Sequence, residues 1–289
     1  MAQIDKYSIR DLKADFPDDD TALAFIFDAL HSHQCSCGGV YKKVSNRRKY
    51  QCSKCRFQIA PTAGTIFHKS DTPLNLWFHA IWVFSNAKSG VSAKELERQL
   101  GVTYKTAWRM LKLIREALGV HGGMLRGDVE TDLGYFGGIK SAGANNVNLS
   151  ESIAHKSPVM VAIERGGTMI AEVVTDGTTK THTSFVERNI EKGSRLLTDK
   201  SNKYHSVAKG YDRFSVNHSK GEYAWCGIHI NHVESFFAHV KRSMKGTYKV
   251  VSKKYLQLYL NQFAWLYNNR HNDRARFGAL LGTVLLGVR

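Results

Sequence analysis

Apolar positions recur at helical spacing through the first half of the chain, and short runs at strand spacing open the second half. An apolar run over residues 23–30 predicts a helix near the N-terminus. Three more helices are predicted between residues 73 and 118. Pro73 suits the opening of the first, Ser92 caps the second ahead of Gly101, and Thr103 caps the third.

Beyond Arg126 the pattern changes to β-rich runs, namely GDVETDL, PVMVAIE, TMIAEVVT, RLLT and FSVNH. Helical stretches separate the later runs, and two long helical patterns follow near residues 230–246 and 253–270. The chain is therefore expected to be of the α/β class. We expect an N-terminal helical segment at 1–31, a cysteine-containing segment at 32–60, a helical domain at 61–120 and an α/β domain at 125–289.

The charge balance is strongly basic, with 41 Lys and Arg against 25 Asp and Glu, for a formal net charge of +16. The basic residues are clustered: the segments 41–57 and 235–272 contain no acid, and the first includes Arg47, Arg48 and Lys49. Clusters of one sign indicate binding to a polyanion such as DNA or RNA. The alternative is an ordinary solvated surface. No apolar run reaches the roughly 18 residues that a membrane helix needs, so we expect no membrane association.

Four of the five cysteines form two close pairs, which points to a metal site in a reducing compartment. Four thiolates across a basic hairpin suit tetrahedral Zn²⁺, and a segment this small has too little apolar surface to fold unaided. The predicted ligands are Cys35, Cys37, Cys52 and Cys55. His33 could replace one sulfur, or the cysteines could be free and buried; Cys226 is expected to be structural.

The helix after Thr103 is amphipathic, with a cationic outer face. A short turn separates it from the preceding helix, as in a helix-turn-helix. Thr103, Tyr104, Lys105 and Arg109 are then placed to reach bases or phosphates. A plain surface helix with solvated lysines is the alternative.

Three acidic residues of the second half follow or flank apolar patterns: Asp132 and Asp199 at strand positions, and Glu234 on a helix. Glu234 shares a polar stripe of that helix with Asn231, Lys241 and Lys245. Converging carboxylates hold Mg²⁺ for phosphoryl chemistry, and Lys241 could contact a phosphate. Surface acids are the alternative, and Asp128 and Glu130 share the strand face of Asp132.

Over residues 20–272 the chain resembles bacterial insertion-sequence transposases that have an N-terminal zinc ribbon and a DDE-type domain. The resemblance rests on the four cysteines and on these motifs in order: Gly64–His68, Leu74 with Trp77-Phe78, Val129–Asp132 with Tyr135–Gly138, Leu197–Asp199, Asn217–Tyr223, His229–Glu234, Lys241-Arg242, Gly246–Tyr248, Val251–Lys254 and Tyr267–Arg270.

The resemblance implies an RNase H-like catalytic domain, a mixed sheet with flanking helices, preceded by a zinc ribbon and a helix-turn-helix domain. It implies that Asp132, Asp199 and Glu234 bind Mg²⁺ or Mn²⁺ and that Lys241 is an additional basic residue of the site. The chain departs from the family pattern at Leu133-Gly134, and its first cysteine pair is one residue short. Neither departure removes a catalytic residue, so an active enzyme is expected.

The expected function is a DNA transposase that binds terminal inverted repeats, cleaves the element ends and joins their 3′-hydroxyls to target DNA. Its partner would be double-stranded DNA, bound by a homodimer or higher homo-oligomer in the bacterial cytoplasm, at the nucleoid. One alternative is a catalytically silent, transposase-derived DNA-binding regulator. Another is an RNase H-like nuclease without strand transfer.

Overall fold

Local capping signals define the helices of the first part of the chain. The computed structural model describes residues 6–119, 123–137, 155–204, 207, 210–216 and 228–286. Helices α1 (Ile9–Asp15) and α2 (Asp19–Leu30) begin behind the caps Ser8 and Asp18, whose side chains accept backbone N–H groups. A three-stranded antiparallel sheet follows, in the order β1 (Tyr41–Lys43), β2 (Tyr50–Cys52) and β3 (Gln58–Ile59).

Three helices come next: α3 (Leu74–Asn86), α4 (Ala93–Leu100) and α5 (Tyr104–Leu118). As predicted, Ser92 and Thr103 cap α4 and α5 through their side chains. Gly101 ends α4 in the left-handed region at φ 66°, which favours glycine. The buried faces of these helices carry the apolar residues of the 3.6-residue pattern, among them Trp77, Phe78, Leu96, Met110 and Ile114.

Five strands form a second, mixed sheet in the order β6-β5-β4-β7-β8. They are β4 (Asp128–Phe136), β5 (Ser157–Glu164), β6 (Met169–Val173), β7 (Arg195–Asp199) and β8 (Asp212–Val216). The pairs β4–β5 and β5–β6 are antiparallel, whereas β4–β7 and β7–β8 are parallel. All five lie where the β-rich runs predicted strands, and β4 is the central one.

Helices cover both faces of this sheet because the strands are apolar on both sides. On one face α6 (Thr179–Asn189) packs through Phe185 and Val186 against residues such as Met160. On the other face lie α7 (Asn231–Ser243) and α8 (Leu256–Asn268), which pack against residues such as Val161. A single π-helical turn, Met244–Tyr248, continues α7. This mixed sheet with flanking helices fits the expected RNase H-like fold.

The last helix, α9 (Arg276–Leu286), packs against α3 and α5. Its apolar side, which includes Phe277, Leu280 and Val284, is buried. The chain accordingly divides into two compact units, one of residues 1–119 with 271–289 and the other of residues 120–270. Residues 271–289 thus group with the first unit, and not with the α/β domain predicted for them from the sequence. No helix in the described ranges combines the length and the apolarity that crossing a bilayer requires.

Candidate active site and DNA-binding surfaces

Asp132 and Asp199 lie on neighbouring parallel strands at the same level of the sheet. The β4–β7 register pairs Asp128 with Arg195 and Glu130 with Leu197. Continued by two residues, that register brings Asp132 level with Asp199, the last residue of β7. Side chains two residues apart on a strand share a face, so both carboxylates lie on the face that α7 covers.

Glu234 approaches the same point from α7. This helix buries Val233, Phe237 and Val240 against the sheet, and Glu234 lies in its first turn, beside that apolar stripe. Its position in the first turn favours an anionic side chain, since the N-terminus of a helix carries partial positive charge. The apolar periodicity of α7 therefore determines where the third carboxylate lies.

The three carboxylates interact electrostatically. Burial is the main cause that raises the pKa of Asp132 from an ordinary 3.8 to about 7, and the charges of Asp199 and Glu234 raise it further. The Leu133 backbone N–H, which donates to the Asp132 carboxylate, and the Lys241 ammonium act in the opposite direction. Three of the residues singled out by sequence, Asp199, Glu234 and Lys241, thus act on the carboxyl group of a fourth, Asp132.

Lys241 lies on the exposed side of α7, two turns after Glu234. Its ammonium is 5.6 Å from the centroid of the Phe136 ring and 5.7 Å from that of Phe237. Both distances are within the range of a cation–π contact, which restricts where this long side chain can point. The two aromatic rings therefore hold a positive charge next to the carboxylates.

Within the described residues, two groups of side chains have ligand atoms that all lie within 4.8 Å of one another: the four cysteines, and Glu130 with His229 and His232. Asp132, Asp199 and Glu234 are more widely spread. Carboxylate oxygens are the ligands that Mg²⁺ and Mn²⁺ prefer. A cation between them would offset both the burial and the carboxylate repulsion that raise the pKa of Asp132, so this set of residues fits a divalent metal.

Arg213 is a residue of this region that the sequence patterns did not single out. From β8 it donates to the Thr198 hydroxyl at 3.0 Å and to the carbonyl oxygens of Asp199 and Ser201 at 3.0 and 3.2 Å. Its guanidinium also lies 5.6 Å from the centroid of the buried Tyr204 ring. These contacts hold the end of β7, and a basic residue directly before a predicted strand was its only signal.

The four cysteines converge around one point in the first unit. The Sγ atoms of Cys35 and Cys55 are 3.6 Å apart, and those of Cys37 and Cys52 are 3.5 Å apart. The Cys37 backbone N–H and then the Tyr41 hydroxyl lower the pKa of Cys35 to about 6. Four sulfurs this close together, one of them favoured as a thiolate, suit tetrahedral zinc.

The short first pair, Cys-x-Cys, is accommodated by the glycines that follow it. Gly38 has φ +79°, and a Cβ on Gly39 would come within 2.5 Å of the Cys52 sulfur. His33 is not among the side chains whose ligand atoms cluster with these sulfurs, and its Nε2 lies 2.8 Å from Asp28 Oδ1.

The predicted DNA-contacting residues of the first unit have different surroundings. Tyr104, Lys105 and Arg109 are exposed on α5. The Thr103 hydroxyl accepts the Thr106 N–H at 3.3 Å as the helix cap. These positions leave the outer face of α5 accessible from its first turn onward.

Arg48 differs from its neighbours Arg47 and Lys49, which are exposed. Its guanidinium donates to the Ser70 carbonyl at 2.8 Å, to Asp19 Oδ2 at 2.9 Å and to the Thr72 carbonyl at 3.1 Å. These contacts give Arg48 a structural role, and we leave it out of the proposed DNA surface.

In the second unit, Asn231 and Lys245 are exposed at the two ends of the helical segment that carries Glu234. The motif Asn217–Tyr223, Gly138 and Cys226 lie outside the described residues.

Comparison with known proteins identifies the family. Residues 124–268, half of the chain, match the model of the ISXO2-like transposase domain. An uncharacterized protein in the transposable element ISH50 of Halobacterium salinarum is 25% identical over 82% of this chain and 84% of its own. A chain in the crystal structure of a pre-cleavage Mos1 transpososome is 10% identical, covering 71% of this chain and 78% of its own, at a TM-score of 0.27. On the family match, this chain belongs to the ISXO2-like insertion-sequence transposases.

Proposed function

We propose that this transposase binds the terminal inverted repeats of its insertion sequence, cleaves the element ends and joins their 3′-hydroxyls to target DNA. One observation carries the proposal: Asp199, Glu234 and Lys241 all act on the pKa of Asp132 from different elements of the fold. Three carboxylates and one ammonium close enough to influence one another's charge are what a phosphodiester and its metal ions require.

We propose that Asp132, Asp199 and Glu234 hold Mg²⁺ or Mn²⁺. When bound, the metal supplies Lewis-acid activation of the phosphodiester and of the attacking hydroxyl. Lys241 would bind a non-bridging phosphate oxygen and keep the DNA strand against the carboxylates. Ser and Tyr nucleophiles have no role, because attack by water and then by a 3′-hydroxyl needs no covalent protein–DNA intermediate.

The DNA ends would be recognised by the first unit. We propose a zinc ribbon over 32–60, with Zn²⁺ bound by Cys35, Cys37, Cys52 and Cys55, and a helix-turn-helix domain over 61–120. Its contacts would come from Arg47 and Lys49 beside the ribbon, and from Thr103, Tyr104, Lys105 and Arg109 on α5. Asn231 and Lys245 would contact DNA next to the carboxylates. We further propose that a homodimer or larger homo-oligomer acts on nucleoid DNA.

A catalytically silent DNA-binding regulator is the competing function. Such a protein has no need to retain three neighbouring acids, Asp132, Asp199 and Glu234, on separate elements of the fold. Asp132 also remains partly buried at an electrostatic cost, which its raised pKa reports. A carboxyl group that is kept buried at an electrostatic cost favours the enzyme.

A cleavage and strand-transfer assay tests the proposal with the full chain, Mg²⁺ and the DNA ends of its own element. Wild type should release 3′-hydroxyl ends and join them to a target plasmid. Asp132→Asn should abolish both reactions and retain end binding in a gel-shift assay. If the wild type binds ends without cutting them, the regulator is the correct function. If it cuts but never joins, the protein is a nuclease.

A further inference from the structure

Glu130 is a completely buried carboxylate on β4, two residues before Asp132 and on the same strand face. Its side chain is 0% exposed. A buried carboxylate is costly unless its oxygens are hydrogen-bonded or paired with a cation. Its partners therefore show what this residue does.

The partners of Glu130 come from two other parts of the unit. Arg165, in the turn after β5, donates Nε to Oε1 at 2.9 Å. His232 donates its backbone N–H to Oε2 at 2.9 Å, and its Nδ1 lies 2.8 Å from Oε1. His229 Nδ1 is 3.2 Å from the same oxygen, and its carbonyl accepts Arg165 Nη2 at 3.0 Å. We call Glu130, Arg165, His229 and His232 the Glu130 cluster.

The cluster replaces a missing helix cap. Helix α7 begins at Asn231 behind Ile230, and no side-chain hydrogen bond is made by this apolar N-cap. The first N–H groups of a helix need acceptors from outside the helix. Glu130 supplies one to His232 and places a negative charge at the positive end of the helix dipole. Glu234 lies in this same first turn.

A metal ion is the other ligand that a Glu and two His could bind. The Glu130 oxygens are already used by Arg165 and by the His232 N–H. A divalent cation on Oε1 would lie next to a guanidinium whose Nε is 2.9 Å from that oxygen. Repulsion between two cations this close favours the hydrogen-bonded cluster over a metal centre.

We propose that Glu130 is a positioning residue that ties the first turn of α7 to β4 and thereby sets the spacing of Asp132 and Glu234. The inference rests on the proposed function, because it assumes that those two carboxylates share metal ions. Glu130 itself touches neither metal nor DNA. Residues that orient metal ligands through hydrogen bonds affect metal affinity or activity by about 10–100-fold.

The test compares Glu130→Gln with Glu172→Gln in the full chain. Glutamine keeps the size of Glu130 but turns an amide NH₂ toward Arg165 or His232, where a donor meets a donor. Glu172 on β6 is the matched control, because it also pairs with an arginine, Arg188 at 2.9 Å, and its side-chain partners Arg188 and Asn189 lie on α6 and not on α7.

Two measurements go beyond the activity of the metal-loaded enzyme. Hydrogen exchange by mass spectrometry on the peptide 229–236 should be faster in Glu130→Gln only. Mn²⁺ titration of the protein–DNA complex, followed by electron paramagnetic resonance of the free ion, should show affinity weakened about 10–100-fold in Glu130→Gln only. End binding should equal that of the wild type. Equal exchange and equal Mn²⁺ affinity in both variants would overturn the proposal.

Three additional outcomes are informative. If Glu130→Gln fails to fold, Glu130→Asp keeps the charge but shortens the side chain by one methylene, which withdraws the acceptor from the His232 N–H, and unchanged exchange in that variant overturns the proposal. If Glu130→Gln contains one metal ion per chain fewer than the wild type and keeps its zinc, the Glu130 cluster is a metal centre, and the proposal is overturned. If Asp132→Asn cleaves normally, the proposed function fails, and a faster exchange in Glu130→Gln would still support the tie between α7 and β4.

Discussion

Gly134 on β4 lies directly against the Phe237 ring of α7: a Cβ built on Gly134 would come within 2.6 Å of Phe237 Cε1. The Phe237 ring also packs 5.8 Å from the Phe136 ring, and Lys241 lies over both rings. The Leu133-Gly134 departure from the family pattern thus has a structural counterpart, because the missing side chain lets α7 approach the central strand.

We expect Gly134→Ala to destabilise the protein by about 1–3 kcal/mol, the usual cost of overpacking a filled core. Cleavage should fall further than stability alone explains, because α7 carries Glu234 and Lys241. Thermal unfolding and a cleavage assay below the unfolding temperature would measure both effects. Gly246→Ala is the control, since nothing lies within 4 Å of its added Cβ. Equal effects of the two substitutions would contradict the conclusion that Gly134 allows α7 to pack closely against β4.

The three carboxylates should behave as one unit. Asp132→Asn, Asp199→Asn and Glu234→Gln should each lower cleavage by orders of magnitude, and any pair should lose little more than one alone. Lys241→Ala should be milder, because it positions phosphate and does not hold metal. Asp128→Asn is the control on the same strand face; its carboxylate is paired with Arg195. Additive losses across the triad would argue for independent roles.

The raised pKa of Asp132 predicts a pH-dependent stability in the absence of added divalent metal. Between its ordinary value of 3.8 and about 7, the folded chain keeps a proton that the unfolded chain has released. The stability contribution is therefore complete below the ordinary pKa and is lost as the pH rises through about 7.

The measurement is the unfolding temperature of wild type and Asp132→Asn from pH 5 to pH 8. The wild type should lose stability relative to the variant as the pH rises, and added Mg²⁺ should cancel the difference. Parallel curves for the two proteins would rule out a strongly perturbed Asp132.

Arg109 on α5 should contact DNA phosphates. Arg109→Ala should weaken end binding and reduce the slope of log affinity against log salt by about 0.9, the value for one phosphate contact on duplex DNA. Lys112→Ala is the control on the same helix, because Lys112 is paired with Glu116 at 2.8 Å. Salt titrations of end binding by fluorescence anisotropy would measure both slopes, and an unchanged slope in Arg109→Ala would make α5 an ordinary surface helix.

The cysteine cluster should hold one zinc ion per chain. Cys52→Ser/Cys55→Ser should lose it, and the segment around β1 and β2 should then unfold locally, because its small core depends on the metal. Elemental analysis of the purified proteins checks the zinc content. His33→Ala should keep its zinc, since His33 pairs with Asp28. Retention of zinc in the double variant would place the ligands elsewhere.

Local sequence patterns were sufficient to predict the elements that depend only on residues close in the sequence. Ser92, Gly101 and Thr103 predict the ends of α4 and α5, because capping depends on residues within one turn. The period-2 runs predict the strands of the mixed sheet for the same reason. The paired cysteines are close in sequence, so their spacing alone indicates a common ligand.

The tertiary structure decided what depends on contacts between distant residues. Asp132 and Asp199 become neighbours through the β4–β7 register, and α9 joins the first unit through packing that no local pattern records. Arg48 and Glu130 illustrate the limit most clearly. In the sequence, Arg48 is one more basic residue and Glu130 one more acid. Their partners lie 22–29 and 35–102 residues away, and the pairing with those partners, which determines the role of each charge, exists only in the folded chain.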